Sequence, residues 1–272
     1  MVSGKGTLEG KIAIVTGGGT GLGKAMALAL AKEGADVVVG ARRLEPIEQT
    51  AKEVRDMGRR GVAVSTDVTD SKQVNNLVEQ TLSQMGGLDI LVNNAGIVRG
   101  QQRREFWDIT DEEWHLGIDT NLTGAFFGCR AASKHLVEQK SGKVINIASG
   151  EGLRGVKGNL MYSVAKGGVV QLTRTLALTW ADVNIQVNCI APGFIDVSTL
   201  QPVVRQGFGG RMAEFNPSGR IGVPYDISSM CLFLASSASD YVTGGVFVVD
   251  GAGLAGGYTP TGYAPIINLE EE

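Results

Sequence analysis

Seven short apolar runs recur along the chain. They are "KIAIVTG" from Lys11, "DVVVGA" from Asp36, "GVAVST" from Gly61, "LDILVNNAG" from Leu88, "GKVINIAS" from Gly142, "NIQVNCIAPG" from Asn184 and "GVFVVDG" from Gly245. They are rich in β-branched residues and barely alternate, as strands of a parallel sheet covered on both faces must be. Between them, helical patterns run over 21–34, 44–58, 71–86, 111–138, 160–181 and 224–236. Pro46 and Pro224 fall where proline suits the first turn of a helix. There is no linker and no internal repeat. Strand and helix alternating in one block predict a single doubly wound α/β domain, 1–272, with a seven-stranded parallel sheet and helices on both faces. Two stretches escape the alternation. Residues 196–220 are glycine-rich and read as a mobile substrate lid, and 254–272 form a C-terminal extension.

Composition narrows the class. A chain of 272 residues can bury one large core. A formal net charge of −3 argues against a nucleic-acid binder or a basic membrane-surface protein. Cys129, Cys189 and Cys231 are scattered through apolar contexts and read as reduced core thiols, not as a disulfide framework or a metal site. With no apolar leader and no membrane-length apolar run, the expectation is a cytoplasmic protein with no membrane partner.

Chemistry enters at "TGGGTGLGKA", from Thr16, which follows the first strand and opens the first helix. Gly17, Gly21 and Gly23 permit a tight turn around Thr20 and Leu22, and the helix amino terminus offers aligned N–H groups to a phosphate. The spacing predicts a dinucleotide. An NAD site places an acid at the end of the second strand, but this chain reads Gly40-Ala41-Arg42-Arg43 there, and Asp36 is at the wrong end. A guanidinium binds a 2′-phosphate that an acid would repel, so Arg42 and Arg43 point to NADP(H) in preference to NAD(H). Asp67-Val68 and "NNAG", which includes Asn94, Ala95 and Gly96, close the third and fourth strands, where ligands of such sheets lie.

Tyr162 and Lys166 in "YSVAK" share one helix face at i and i+4. Ser149 closes the fifth strand just before that helix, and Asn121 sits inside the long helix at 111–138. Taken with "APG" at 191–193 and "VDG" at 249–251, these motifs make residues 8–252 resemble the short-chain dehydrogenase/reductase family, a Rossmann fold. The resemblance implies that Tyr162 is the general acid/base and that Lys166 lowers its pKa and holds the nicotinamide ribose. It implies that Ser149 bonds the substrate oxygen and that Asn121 holds a water. Asn94 would touch the adenosine-side ribose, Asp67 and Val68 the adenine, and Pro192, Gly193 and Ile195 the nicotinamide side. No metal is implied.

One departure concerns Val197, which stands where the family commonly has a threonine near the cofactor, with Ser198 and Thr199 following. Substrate walls are expected from Ser149, Glu151, Arg154, Tyr162, Phe194 and the lid. The implied activity interconverts a ketone and a secondary alcohol on a small-molecule substrate. A 3-oxoacyl thioester reductase is the alternative, and a non-catalytic dinucleotide-sensing regulator is a second. Apolar and small residues in "GAFFGCRAA" from Gly124 and "GGVVQLTRTLAL" from Gly167, helices that pair between subunits in the resembling family, predict a homotetramer. The extension, with Tyr258, Tyr263 and Ile266, is expected to reach a neighbouring subunit.

Overall fold

Every apolar run becomes a strand. In the computed structural model, which describes residues 6–97, 105–197, 213–214 and 216–256, one sheet joins all seven strands. These are β1 (Ile12–Thr16), β2 (Asp36–Ala41), β3 (Gly61–Ser65), β4 (Ile90–Asn93), β5 (Gly142–Ile147), β6 (Ile185–Pro192) and β7 (Val246–Val249). Their order is β3-β2-β1-β4-β5-β6-β7, and every neighbouring pair is parallel. The chain grows outward from β1 to β3, then returns and grows the other way from β4. That reversal opens a crevice at the carboxyl ends of β1 and β4.

Side-chain alternation along β1 feeds two cores. Ala13 and Val15 pack with Met26 and Leu30 of α1 (Gly21–Lys32), Ile47 and Val54 of α2 (Leu44–Asp56), and Ile227 and Leu234 of a later helix, Pro224–Ala235. Ile12 and Ile14 face the opposite layer, with Leu77 of α3 (Ser71–Met85) and Leu136. Each such fully buried aliphatic side chain stabilises the fold by roughly 1.5–3 kcal/mol, so both faces of the sheet are firmly covered. Asp36, at the amino end of β2, is buried and accepts from Arg60 N at 2.8 Å and Arg60 Nε at 2.7 Å. It therefore clamps the sheet end remote from the crevice.

The single long helix expected over 111–138 is not what forms. Helix α4 (Asp111–Ile118) passes into a π-helical turn, Asp119–Thr123, and then into α5 (Gly124–Gln139). The cause is Asn121, whose Nδ2 donates to Gly117 O and to Ile97 O, both at 2.9 Å. A side chain occupying the i−4 carbonyl locally widens the helix. The remaining helices, α6 (Leu160–Trp180) and α7 (Pro224–Ala235), follow the sequence pattern, with Pro224 in the first turn of α7. No helix among the described residues is long and apolar enough to cross a membrane. Most of the expected lid (198–212 and 215) and the extension from 257 onward lie outside the described residues.

Candidate active site

The glycine turn is built by steric necessity. Gly17 and Gly21 adopt φ of 67° and 55°, the left-handed region that side chains disfavour. A methyl on Gly23 would lie 2.2 Å from the Gly17 carbonyl oxygen and 2.5 Å from Asn94 Nδ2. The turn is stitched to the end of β4. Thr16 Oγ1 accepts from the amides of Asn94 at 3.0 Å and Ala95 at 3.1 Å, while Asn94 Nδ2 donates to Thr16 O at 2.9 Å. Thr20 makes no capping hydrogen bond at the start of α1, and the first helical turn carries no acid. This helix end therefore presents backbone donors and positive potential without an internal counter-group, a cradle suited to a phosphate.

The cradle opens into a cleft of about 750 Å³. Every residue expected at the cofactor, from Gly17 through Ile195 and including Arg42 and Arg43, lines it, together with Asn121 and Ser149. Arg42 and Arg43 are exposed at its edge. Some of these side chains also have structural partners. The Asp67 carboxylate accepts from Thr69 N and Oγ1, and Val68 packs over Gly124. Val197 stands over the turn, with Cγ1 3.5 Å from where a Gly21 methyl would be. Glu151 and Arg154 do not line the cleft, and Phe194 faces a smaller adjoining cavity of about 190 Å³.

Four polar residues converge on the cleft. Asn121 is buried, and its Oδ1 accepts from Ile97 N at 3.1 Å, so both ends of its amide hold the loop after β4. Gly96 lets that loop lie close: a methyl there would sit 2.7 Å from Asn121 Oδ1 and 3.3 Å from Lys166 Nζ. Ser149 lies beside Tyr162, in the first turn of α6, and favours its phenolate. Lys166 is buried and donates from Nζ to Ile147 O at 2.8 Å.

The electrostatics depart from the expected lowering of Tyr162. Burial raises its pKa, the Ser149 hydrogen bond opposes that rise, and the Glu151 charge adds to it. Burial also pushes Lys166 down to about 8, with a smaller opposing influence from Cys189. In the protein alone, desolvation outweighs any help the lysine gives the phenolate, because taking a charge out of water costs more than one neighbour at this distance returns.

Two supports of the site were not anticipated from the sequence. One is Thr16, described above. The other is a buried chain in which Asn93 Nδ2 donates to Asn146 Oδ1 and Asn146 Nδ2 to Thr173 Oγ1, each at 2.9 Å. It ties β4, β5 and α6 together beneath Lys166. The available signal was asparagine near the end of each of two consecutive apolar runs, Asn93 and Asn146, and these two pair in register. Among the described residues no group of three or more His, Cys, Asp or Glu is arranged to hold a metal ion.

Comparison with known proteins then fixes the family. The model described as short chain dehydrogenase matches residues 11–207. The chain belongs to the short chain dehydrogenase family. It is 40% identical over 251 residues to the 2-dehydro-3-deoxy-D-gluconate 5-dehydrogenase of Escherichia coli (strain K12), covering 92% of this chain and 97% of that protein. It is 35% identical to a 3-oxoacyl-(acyl-carrier-protein) reductase of Thermotoga maritima, covering 90% and 98%. Its fold superposes on a short-chain type dehydrogenase/reductase from Mycobacterium marinum with a TM-score of 0.83 at 36% identity, covering 90% and 96%. Members of the family are NAD(P)(H)-dependent oxidoreductases acting on CH–OH groups, and this chain is an enzyme of that kind.

Proposed function

We propose that the protein interconverts a ketone and a secondary alcohol, with NADP(H) preferred over NAD(H) and Tyr162 as the general acid/base. The observation that carries this reading is that Ser149, Tyr162 and Lys166 line one cleft with the glycine turn. The dinucleotide would be held by the glycine turn, Arg42, Arg43, Asn94 and the Pro192–Ile195 loop, and it supplies or takes the hydride. Ser149 orients the substrate oxygen and steadies its developing charge. Tyr162 gives that oxygen a proton in reduction and removes it in oxidation. Lys166, fixed on Ile147, steadies the phenolate and binds the ribose hydroxyls. Asn121 keeps the loop after β4 against Lys166.

The NADP(H) preference rests on Arg42 at the cleft edge and on Asp36 being committed to Arg60. For the substrate, we favour a small polyol or sugar acid, in line with the similarity to the 2-dehydro-3-deoxy-D-gluconate 5-dehydrogenase. Similarity to the 3-oxoacyl-(acyl-carrier-protein) reductase supports the thioester as a second reading. A non-catalytic sensor could dispense with Ser149, Tyr162 or Lys166, and all three are retained. Exposed Phe126, Val164 and Leu178 on α5 and α6 support a homotetramer. The test is a screen of sugar acids, cyclic alcohols and acetoacetyl thioesters with each dinucleotide, read at the nicotinamide absorbance. Turnover of none of these classes would refute the proposal.

A further inference from the structure

The turn that follows β5 sets Glu151 between two parts of the site. Its backbone amide donates to Ser149 Oγ at 3.2 Å. Its carboxylate accepts from the side-chain amide of Asn159 and from Ser163 Oγ, the latter at 3.5 Å. Asn159 is the residue that enters α6, and its side chain does not cap the helix itself. Ser163 follows Tyr162 in the first turn, which contains no acid of its own. Glu151 thus brings from outside the helix the negative charge that its amino terminus favours. The turn also lies hard against α6, for a methyl on Gly152 would sit 2.6 Å from the Lys166 carbonyl carbon.

We propose that Glu151 is a positioning residue for Tyr162, coupling Ser149 to the first turn of α6 and holding a carboxylate near the phenol. This inference rests on the reading of Tyr162 as the acid/base group. The groups facing the phenol are Ser149 at the end of β5, Glu151 from the turn, and Lys166 one turn along α6, whose Nζ is 5.6 Å from the ring centre. The carboxylate opposes loss of the tyrosine proton and so acts with burial, against Ser149. Glu151 thereby adds to burial in moving loss of the Tyr162 proton to higher pH, which delays oxidation toward alkaline pH.

The direct test needs no substrate. Glu151→Gln retains a carbonyl acceptor for Asn159 and removes only the charge. Tyrosinate ultraviolet absorbance is titrated for wild type and for Glu151→Gln, each against its own Tyr162→Phe partner, which isolates Tyr162. The expected result is ionisation at lower pH in Glu151→Gln than in wild type. An unchanged or higher transition overturns the electrostatic role. Asn159→Ala, which leaves Glu151 in place, tests the coupling independently and also serves if Glu151→Gln does not fold. With the best substrate from the screen, its kcat should fall about tenfold while dinucleotide Kd stays unchanged, and wild-type kcat overturns the coupling. Wild-type turnover by Tyr162→Phe would remove the acid/base reading, whereas the titration would still report whether Glu151 acts on that phenol.

Discussion

Lys166 lies with its ammonium 5.6 Å from the centre of the Tyr162 ring, yet gives its hydrogen bond to the carbonyl of Ile147 at 2.8 Å. The lysine is anchored to the end of a strand and only faces the tyrosine. Anchoring it there takes a charge out of water, and its pKa falls from 10.5 to about 8.

That fall has a consequence for stability. Between about pH 8 and 10.5 the folded protein holds fewer protons on Lys166 than the unfolded chain does, so stability rises with pH across that window. Below pH 8 the full cost of burial applies, about 3 kcal/mol at roughly 1.4 kcal/mol per pH unit. Losing the bond to Ile147 offsets about 1 kcal/mol of the gain from removing the charge. Lys166→Met should therefore be more stable than wild type by about 1–3 kcal/mol at pH 7 while losing turnover, and the advantage should shrink by pH 10. Urea unfolding at the two pH values measures this. A destabilised Lys166→Met at pH 7 would contradict it.

Arg42 is the residue on which dinucleotide choice should turn. Only NADP(H) carries the 2′-phosphate that a guanidinium can bind. Arg42→Ala should weaken NADP(H) by about tenfold to a hundredfold, the worth of one or two charge-assisted hydrogen bonds, and leave NAD(H) within about twofold. Fluorescence titration with each reduced cofactor decides it, and equal weakening of both would remove Arg42 from the 2′-phosphate.

At Gly23 the space test is severe, because the first atom of any side chain would overlap the Gly17 carbonyl oxygen. Gly23→Ala must push the glycine turn away from α1 and break the Asn94 bonds that stitch it to β4. Expected outcomes are a loss of about 1–3 kcal/mol in stability and at least a hundredfold loss in dinucleotide affinity. Isothermal titration and thermal unfolding would measure both, and wild-type affinity would mean that the turn does not cradle the cofactor.

Asn121 offers a test of the π-helical turn. Alanine there leaves Gly117 O, which is buried, and Ile97 N and O, which are half-buried, without their side-chain partner. The expected loss is about 2–4 kcal/mol of stability, with lower kcat because the loop after β4 loosens over Lys166. Denaturant unfolding would measure it, and a change under about 0.5 kcal/mol would show the turn to be supported by other contacts.

Strands and helix faces were legible because burial on both sides of a parallel sheet forces continuous apolar runs, as in "IAIVT" and "VVVGA". The glycine turn and the Tyr162–Lys166 pair were legible because both depend on spacing alone. What escaped the sequence depends on partners distant in the chain. Asn121 reads as a poor residue inside a helix until Ile97, 24 positions away, meets it. Glu151 reads as a substrate wall, and its carboxylate contacts with Asn159 and Ser163 do not show in the sequence. The depth of burial that raises Tyr162 is not legible in "YSVAK", where only the proximity of a charge shows.

Whether Tyr162 moves the proton is decided by replacing it with phenylalanine. Tyr162→Phe keeps the ring in its place on α6 and removes only the hydroxyl beside Ser149. The measurement is kcat for the best substrate together with dinucleotide Kd, for wild type and mutant, in the same buffer. Kd should stay within about threefold and kcat should fall by at least about a thousandfold, since the general acid/base group is gone. Comparable kcat at unchanged Kd would contradict that role and leave "YSVAK" as one turn of an ordinary helix.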